Sequence, residues 1–314
     1  HRSHIDYLVL SFALYKAGIM IPHIAAGDNL NMPVLGGFLR RGGAFFMRRS
    51  FRQDPLYAAV FNEYLYQVYA QGHCVEFFPE GGRSRTGRLQ PVKYGLLKLS
   101  LQHQLRGLKK PLALVPVYFG YEKVIEGSSY LKELRGANKQ SESPLAVLKN
   151  LRLVRQNFGT LQVNLGEPIL LDEWLQQQHV SDQTAASTEH LNFDQESSDK
   201  KSLDINSSNQ DSEEATLHAL GSLVMKRINA EASLNPVNFV ALAMLTNQRR
   251  VAQRQDLIAQ IQQFSQLATA LYGTDVLNHN AQDADTIIDV ALELGMLTRK
   301  DEEFGEMFYV DEPT

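Results

Sequence analysis

A chain of 314 residues that is 44% hydrophobic and 21% charged has enough apolar material for one large or two ordinary cores, which excludes a disordered, collagen-like or coiled-coil protein. Its single cysteine, Cys74, excludes an intrachain disulfide and a Cys-rich zinc framework, and no apolar run is long enough to span a bilayer. The net charge of −4 hides an asymmetry: residues 181–214 hold nine acids against two lysines, a balance of −7, so the rest of the chain carries +3. A mildly basic body favours anionic substrates or membrane surfaces. The chain opens on His1-Arg2-Ser3-His4-Ile5-Asp6 with no initiator Met or signal peptide, and is read as a piece of a longer protein.

In chain order, the nearly continuous apolar run from Tyr7 to Gly18 predicts a buried helix, and Ile19 to Ala26 a strand. Gly36-Gly37 and Gly42-Gly43 bracket a short basic turn, and Ala44 to Met47 reads as a strand running into Arg48-Arg49. Asp54-Pro55 opens a helix to about Ala70, with Asp as N-cap and Pro at the first helical position. Cys74 to Phe78 is a short strand stopped by Pro79, Tyr94 to Gln104 a helix, and Leu112 to Tyr121 and Thr160 to Ile169 are further strands. This alternation predicts an α/β layer with a mostly parallel mixed sheet flanked by helices, whose first strand would precede His1. Residues 1–180 form the expected catalytic domain. Residues 181–214, rich in Ser, Asp, Asn, Gln and Glu, read as an acidic disordered linker. Residues 215–314 form a helical C-terminal region: helices at 217–232, 236–245, 256–272 and 283–297, capped at Asn235 and Asp283, then a short strand at Met307 to Val310.

Four short blocks carry chemistry. In the first, an aspartate in the opening turn of a helix can fix one tautomer of His1 and leave the other ring nitrogen free to take a proton. Such a pair lacks its own nucleophile, so the substrate's hydroxyl has to supply one. Plain N-terminal helix capping by Asp6 remains open beside this. In the second, Gly43-Ala44-Phe45-Phe46-Met47-Arg48-Arg49 delivers arginines at a strand end, where guanidinium forks suit a phosphate. Arg49 is the candidate, while Arg40, Arg41 and Arg52 read as a solvated edge. The third is Phe78-Pro79-Glu80-Gly81-Gly82-Arg83-Ser84-Arg85-Thr86-Gly87-Arg88. Its glycines let N–H groups turn toward a ligand, Arg88-Leu89 rules out a nucleotide P-loop, and Glu80 reads as an ion-pair partner organising the loop. The fourth, Leu114-Val115-Pro116-Val117-Tyr118, is a strand whose proline can shape a pocket wall.

In this order and spacing the blocks resemble the glycerolipid acyltransferase superfamily, whose hallmark H-x-x-x-x-D is matched by His1 and Asp6. The wording of the arginine-rich blocks is most similar to its long bacterial membrane-bound glycerol-3-phosphate acyltransferases. The resemblance implies an acyltransferase using acyl-CoA or acyl-acyl carrier protein to acylate the sn-1 hydroxyl of glycerol 3-phosphate, giving lysophosphatidic acid. It needs no metal or bound cofactor. The resemblance also implies His1 as general base, Asp6 as its orienting partner, Arg49 in glycerol-3-phosphate binding, and Glu80, Gly81 and Pro116 as matches to the third and fourth blocks. Arg83, Arg85 and Lys93 are added as phosphate ligands from charge alone, and Gly81–Gly82 N–H groups as oxyanion donors. Peripheral attachment to membrane phospholipid follows, at the cytoplasmic face of a bacterial inner membrane, with the basic, apolar stretch from Pro144 to Phe158 a candidate contact. Cys74 is expected to be buried packing rather than a nucleophile. Two other readings stay open. One is a metal-dependent phosphoester hydrolase using His1, His4 and Asp6 with His23, His73 or His103. The other is a non-enzymatic anionic-lipid-binding module; nucleic acid is not expected as a partner, because the arginines lack interleaved aromatics for base stacking.

Overall fold

The computed structural model describes residues 1–33, 35–48, 50–51, 54–135, 157–178, 205–247, 249–277, 283–303 and 305–310. Arg49, Arg52 and almost all of the Pro144–Phe158 stretch lie outside the described residues. The chain begins with helix α1 (Asp6–Lys16) and strand β1 (His23–Gly27). Helix α2 (Leu35–Arg41) then occupies the stretch expected to be a glycine-bracketed turn. Strand β2 (Ala44–Met47) follows, then α3 (Pro55–Ala70), β3 (Val75–Glu76) and α4 (Tyr94–Arg106). Helix α3 starts where its cap chemistry dictates: the Asp54 side chain accepts from the Tyr57 N–H, and Pro55 needs no acceptor for a missing donor.

β1 lies between β2 and β3, parallel to both, with Ile24 opposite Ala44 on one side and Glu76 on the other. This parallel core is the one expected, and the remaining strands of this half add the antiparallel pairs of the mixed arrangement. Leu112 to Tyr121 is broken by Pro116 into β4 (Ala113–Leu114) and β5 (Val117–Tyr121), and 160–169 into β6 (Leu161–Leu165) and β7 (Ile169–Leu170). They pair antiparallel, β5 with β6 and β4 with β7. Where the ladder breaks, the Gly166 N–H donates to the Pro116 carbonyl at 2.8 Å. A proline supplies an acceptor but no donor, so the strand bends there rather than continuing. Two short helices not read from the sequence, α5 (Gly127–Leu134) and α6 (171–178), flank these strands.

Helix α7 (Ile205–Ala230) begins inside the stretch expected to be linker, so residues 205–214 are helical; 181–204 lie outside the described residues. Its buried Leu217, Leu220 and Val224 join Leu97, Leu101, Leu171 and Trp174 in one core cluster. A boundary at residue 215 therefore falls within a helix that packs on the first half of the chain. The reason is burial: fully burying each of these leucines is worth about 1.5–3 kcal/mol, which the polar composition upstream had obscured.

The C-terminal part holds α8 (Pro236–Thr246), β8 (Val251–Gln253), α9 (Arg254–Tyr272), α10 (Ala284–Glu293), β9 (Thr298–Glu302) and β10 (Gly305–Tyr309). Asn235 and Asp283 cap α8 and α10 as expected, Asn235 in a reciprocal capping box with Asn238. The strand expected at Met307 to Val310 is β10, the centre of a three-stranded antiparallel sheet whose other strands, β8 and β9, the sequence reading did not include. Phe239, Ile261, Ile287, Ile288 and Phe308 form its core. Among the described residues no helix is long and apolar enough to cross a membrane.

Candidate active site

His1 and Asp6 meet at the entry to α1. Nδ1 of His1 lies 2.7 Å from Oδ2 of Asp6, with the imidazole 13% exposed and the carboxylate fully buried. The same Oδ2 accepts from the main-chain N–H groups of Arg2 (2.7 Å) and Ser3 (3.2 Å), and Oδ1 accepts from the Tyr121 hydroxyl. Asp6 thus does both things the sequence left open: it holds the loop before the helix and it orients the histidine. Burial, with the negative charge of Asp6 and the bond to it, pushes the Tyr121 hydroxyl far above its ordinary range, so it remains a donor. The imidazole stacks on Phe78, centroids 3.9 Å apart. With Nδ1 held by the carboxylate, Nε2 is the ring nitrogen left without a partner among the described residues.

The glycine-rich loop wraps around this pair. Glu80 is buried and accepts the Gln90 N–H at 2.8 Å. It ties the loop to its own main chain, and no arginine pairs with it among the described residues. The Ser84 N–H returns a bond to the His1 carbonyl at 2.8 Å. Gly81 sits at φ +63°, and a Cβ there would lie 2.7 Å from Cγ of Lys93. Both facts demand glycine. The Gly81 N–H, proposed as an oxyanion donor, is already given to the Phe78 carbonyl at 2.9 Å, whereas that of Gly82 has no partner among the described residues.

The arginines divide differently from the sequence expectation. Arg83 donates to the Tyr130 hydroxyl at 2.9 Å and pairs with Glu126 at 3.5 Å; Arg85 pairs with Glu133. Neither lines the cavity beside His1, nor do Lys93 and Pro116. That cavity, about 310 Å³, is instead furnished with Arg2 and Arg88. Arg2 donates to the Tyr118 hydroxyl (3.0 Å) and the Gly87 carbonyl (3.2 Å), while the Arg88 guanidinium has no acid partner among the described residues. Pro116 acts one residue away, since the bend it causes presents Val117, Tyr118 and Phe119 as the cavity wall.

Three further residues went unread in the sequence. Glu126 accepts from Ser3 Oγ (2.8 Å) and the His4 N–H (2.9 Å), tying α5 to the dyad loop. Tyr121 supports Asp6. Glu76 is a buried carboxyl whose two oxygens have no partner among the described residues; burial and the charge of Asp6 push it up to about 8. No isolated acid in a strand signals such a state without its neighbours. Cys74 corrects another expectation: it is exposed. Arg48, beside Arg49, pairs with Asp54 at 2.7 Å.

His4 faces Glu126 through its main chain, His103 Nε2 lies 2.8 Å from Asn62, and His23 packs edge-on against His73. Among the described residues no three His, Cys, Asp or Glu side chains converge as metal ligands. The arrangement around His1 is a histidine held by a buried carboxylate beside a cavity that carries two guanidinium groups.

Residues 1–120 match the family model described as Acyltransferase, and residues 130–314 the one described as Glycerol-3-phosphate acyltransferase C-terminal region. A glycerol-3-phosphate acyltransferase of Pseudomonas fluorescens (strain SBW25) is 42% identical over 99% of this chain and 35% of its own length. That of Ectopseudomonas mendocina (strain ymp) is 43% identical over 99% of this chain and 36% of its own. The chain thus spans about a third of the length of these curated relatives. With the dyad inside one match and more than half of the sequence inside the other, the chain belongs to the glycerol-3-phosphate acyltransferase family.

Proposed function

We propose that the full-length protein containing this chain transfers a fatty acyl group from acyl-CoA or acyl-acyl carrier protein to the sn-1 hydroxyl of glycerol 3-phosphate. The observation that carries this reading is the His1–Asp6 pair opening onto a cavity that also holds Arg2 and Arg88. Nε2 of His1 takes the proton of the acceptor hydroxyl as its oxygen attacks the thioester carbonyl. The tetrahedral intermediate collapses with loss of the thiolate, which receives the proton back from His1. The products are 1-acyl-glycerol 3-phosphate and the free thiol, and the step balances without a metal or cofactor. Guanidinium groups that hold the phosphate fix the hydroxyl beside Nε2, which lowers the entropic part of the barrier. The Gly82 N–H is the loop donor available to the oxyanion.

The same reading places the protein peripherally on membrane phospholipid, at the cytoplasmic face of a bacterial inner membrane. Exposed Phe12, Tyr15, Ile19 and Met20 support it, as does an amphiphilic product.

The test follows thiol release from palmitoyl-CoA by the full-length protein in lipid, with and without glycerol 3-phosphate, under chelator. Acceptor-dependent release that survives chelation is expected. Release indifferent to the acceptor, or abolished by the chelator, would overturn the reading in favour of a hydrolase. Arg88→Gln should raise the KM for glycerol 3-phosphate about 10–100-fold, the weight of one charge-assisted bond, with the donor KM unchanged.

A further inference from the structure

The cavity beside His1 has a wall that the acyltransferase-matching segment does not supply. Ile228 and Asn229, in the last turn of α7, and Ala232, just beyond it, line the cavity together with His1, Arg2 and Arg88. These three residues lie within the part of the chain matched as the C-terminal region, not within residues 1–120.

The segment is pinned where it stands. The Glu231 carbonyl accepts from Asn164 Nδ2 at 2.8 Å, and Ser233 Oγ donates to Gln162 Oε1 at 3.0 Å. Buried Asn235 donates from Nδ2 to the Tyr121 carbonyl at 2.9 Å, and the hydroxyl of that same Tyr121 holds Asp6. Two glycines record how closely the segment approaches. A Cβ on Gly120 would meet Ser233 Oγ at 3.3 Å, and one on Gly166 would meet Glu231 Oε1 at 2.6 Å. The wall is therefore built on β5 and β6, the strand pair that supports the dyad, and its distance from His1 is set by the same hydrogen bonds.

We propose that residues 228–232 are the wall of the acceptor subsite of this enzyme: the cavity they bound receives the small polyol phosphate, and their side chains set the room it has. This rests on the acyltransferase reading above. A cavity of about 310 Å³ has ample room for a small polyol phosphate, and its character fits such an acceptor. The guanidinium groups suit the phosphate, the Asn229 amide can meet a hydroxyl, and Ile228 and Ala232 make the apolar part of the wall.

Asn229 is exposed at the cavity edge and no hydrogen bond holds its side chain among the described residues, so Asn229→Trp narrows the site without disturbing the core. Ala232→Phe narrows it from the next position. Lys226→Trp, on an exposed position of the same helix outside the lining, is the control. Each is assayed in the full-length protein for the KM of glycerol 3-phosphate and of palmitoyl-CoA, with a thermal melt. Both narrowing variants are expected to raise the acceptor KM about tenfold or more, leaving the donor KM, the melt and the Lys226→Trp enzyme as wild type. A rise in the donor KM alone would assign the cavity to the acyl donor and overturn the proposal, as would unchanged kinetics in both folded variants. If Ala232→Phe fails to fold, Asn229→Trp decides. A wild-type protein without acceptor-dependent thiol release is a separate outcome: it overturns the acyltransferase reading and the wall with it.

Discussion

His1→Ala is expected to lower kcat for acceptor-dependent thiol release by about 10²–10⁴, the usual worth of a positioned general base, with little change in the KM of either substrate. The side chain is mostly buried, stacked on Phe78 and held at Nδ1, so its removal takes away the proton acceptor while the main-chain bond from Ser84 remains. Asp6→Asn separates orientation from charge. Three N–H groups, from His1, Arg2 and Ser3, converge on one oxygen of Asp6, and only the amide oxygen of Asn can face them. The amide NH₂ then faces Tyr121, whose hydroxyl rotates to accept. The histidine tautomer is kept and the charge that stabilises the imidazolium is lost, so the loss in kcat should be about 10²–10³, smaller than a wrong tautomer would cause. A full 10⁴-fold loss would show that the amide had turned its NH₂ to His1. Activity near wild type in His1→Ala would remove His1 as the base.

Elements set by local chemistry were legible in the sequence. α3, α8 and α10 begin at the expected residues because Asp54-Pro55, Asn235-Pro236 and Asp283 each satisfy helix-start donors within three positions. β2 covers the expected Ala44–Met47 because Gly42-Gly43 precede a short apolar run that ends at Arg48-Arg49. What escaped was set by partners far along the chain. Nothing local to residues 112–121 or 160–169 states that the two stretches pair antiparallel, because direction is decided by where α5 and the following segment return the chain. Composition called 181–214 unable to order, yet its last ten residues continue into a helix whose apolar face is buried by α4 and α6.

The site shows the same division. The H-x-x-x-x-D spacing found the dyad, since a histidine just before a helix and an aspartate in its first turn are geometrically coupled. The loop Glu80–Arg88 was found as a unit, but not which of its arginines faces the cavity. That depends on Glu126 and Glu133, more than forty residues later, which claim Arg83 and Arg85. Arg88 is left with no acid partner among the described residues by this competition, not by any property of its own position. Arg2 hid within the very motif that was recognised, and Asn229 and Ala232 reach the cavity only because α7 packs across the strands.

Glu76→Gln is expected to flatten the fall in stability between pH 5 and pH 8. In the unfolded chain this carboxyl titrates near its ordinary 4.5, whereas in the folded protein it is held up to about 8 by burial first and the charge of Asp6 second. The native state therefore binds the proton more tightly than the unfolded state across that interval. Its contribution to stability is fully present below about 4.5 and is lost progressively as pH rises to about 8. The loss should amount to about 2–5 kcal/mol, and Gln, which cannot ionise, is spared it. Both oxygens lack partners in the wild type, so the neutral amide meets no worse an environment than the neutral acid. At pH 5 the two proteins should melt within a degree or two of each other, and at pH 8 the variant should melt several degrees higher. Parallel melting curves across this range would show that Glu76 ionises in the native state without penalty, and with it that the ground beneath Asp6 is more polar than its burial implies. Tyr7, whose hydroxyl burial pushes up first and the charges of Glu126 and Glu76 next, supplies an internal check: removing the Glu76 charge should lower its titration, read by ultraviolet difference absorbance.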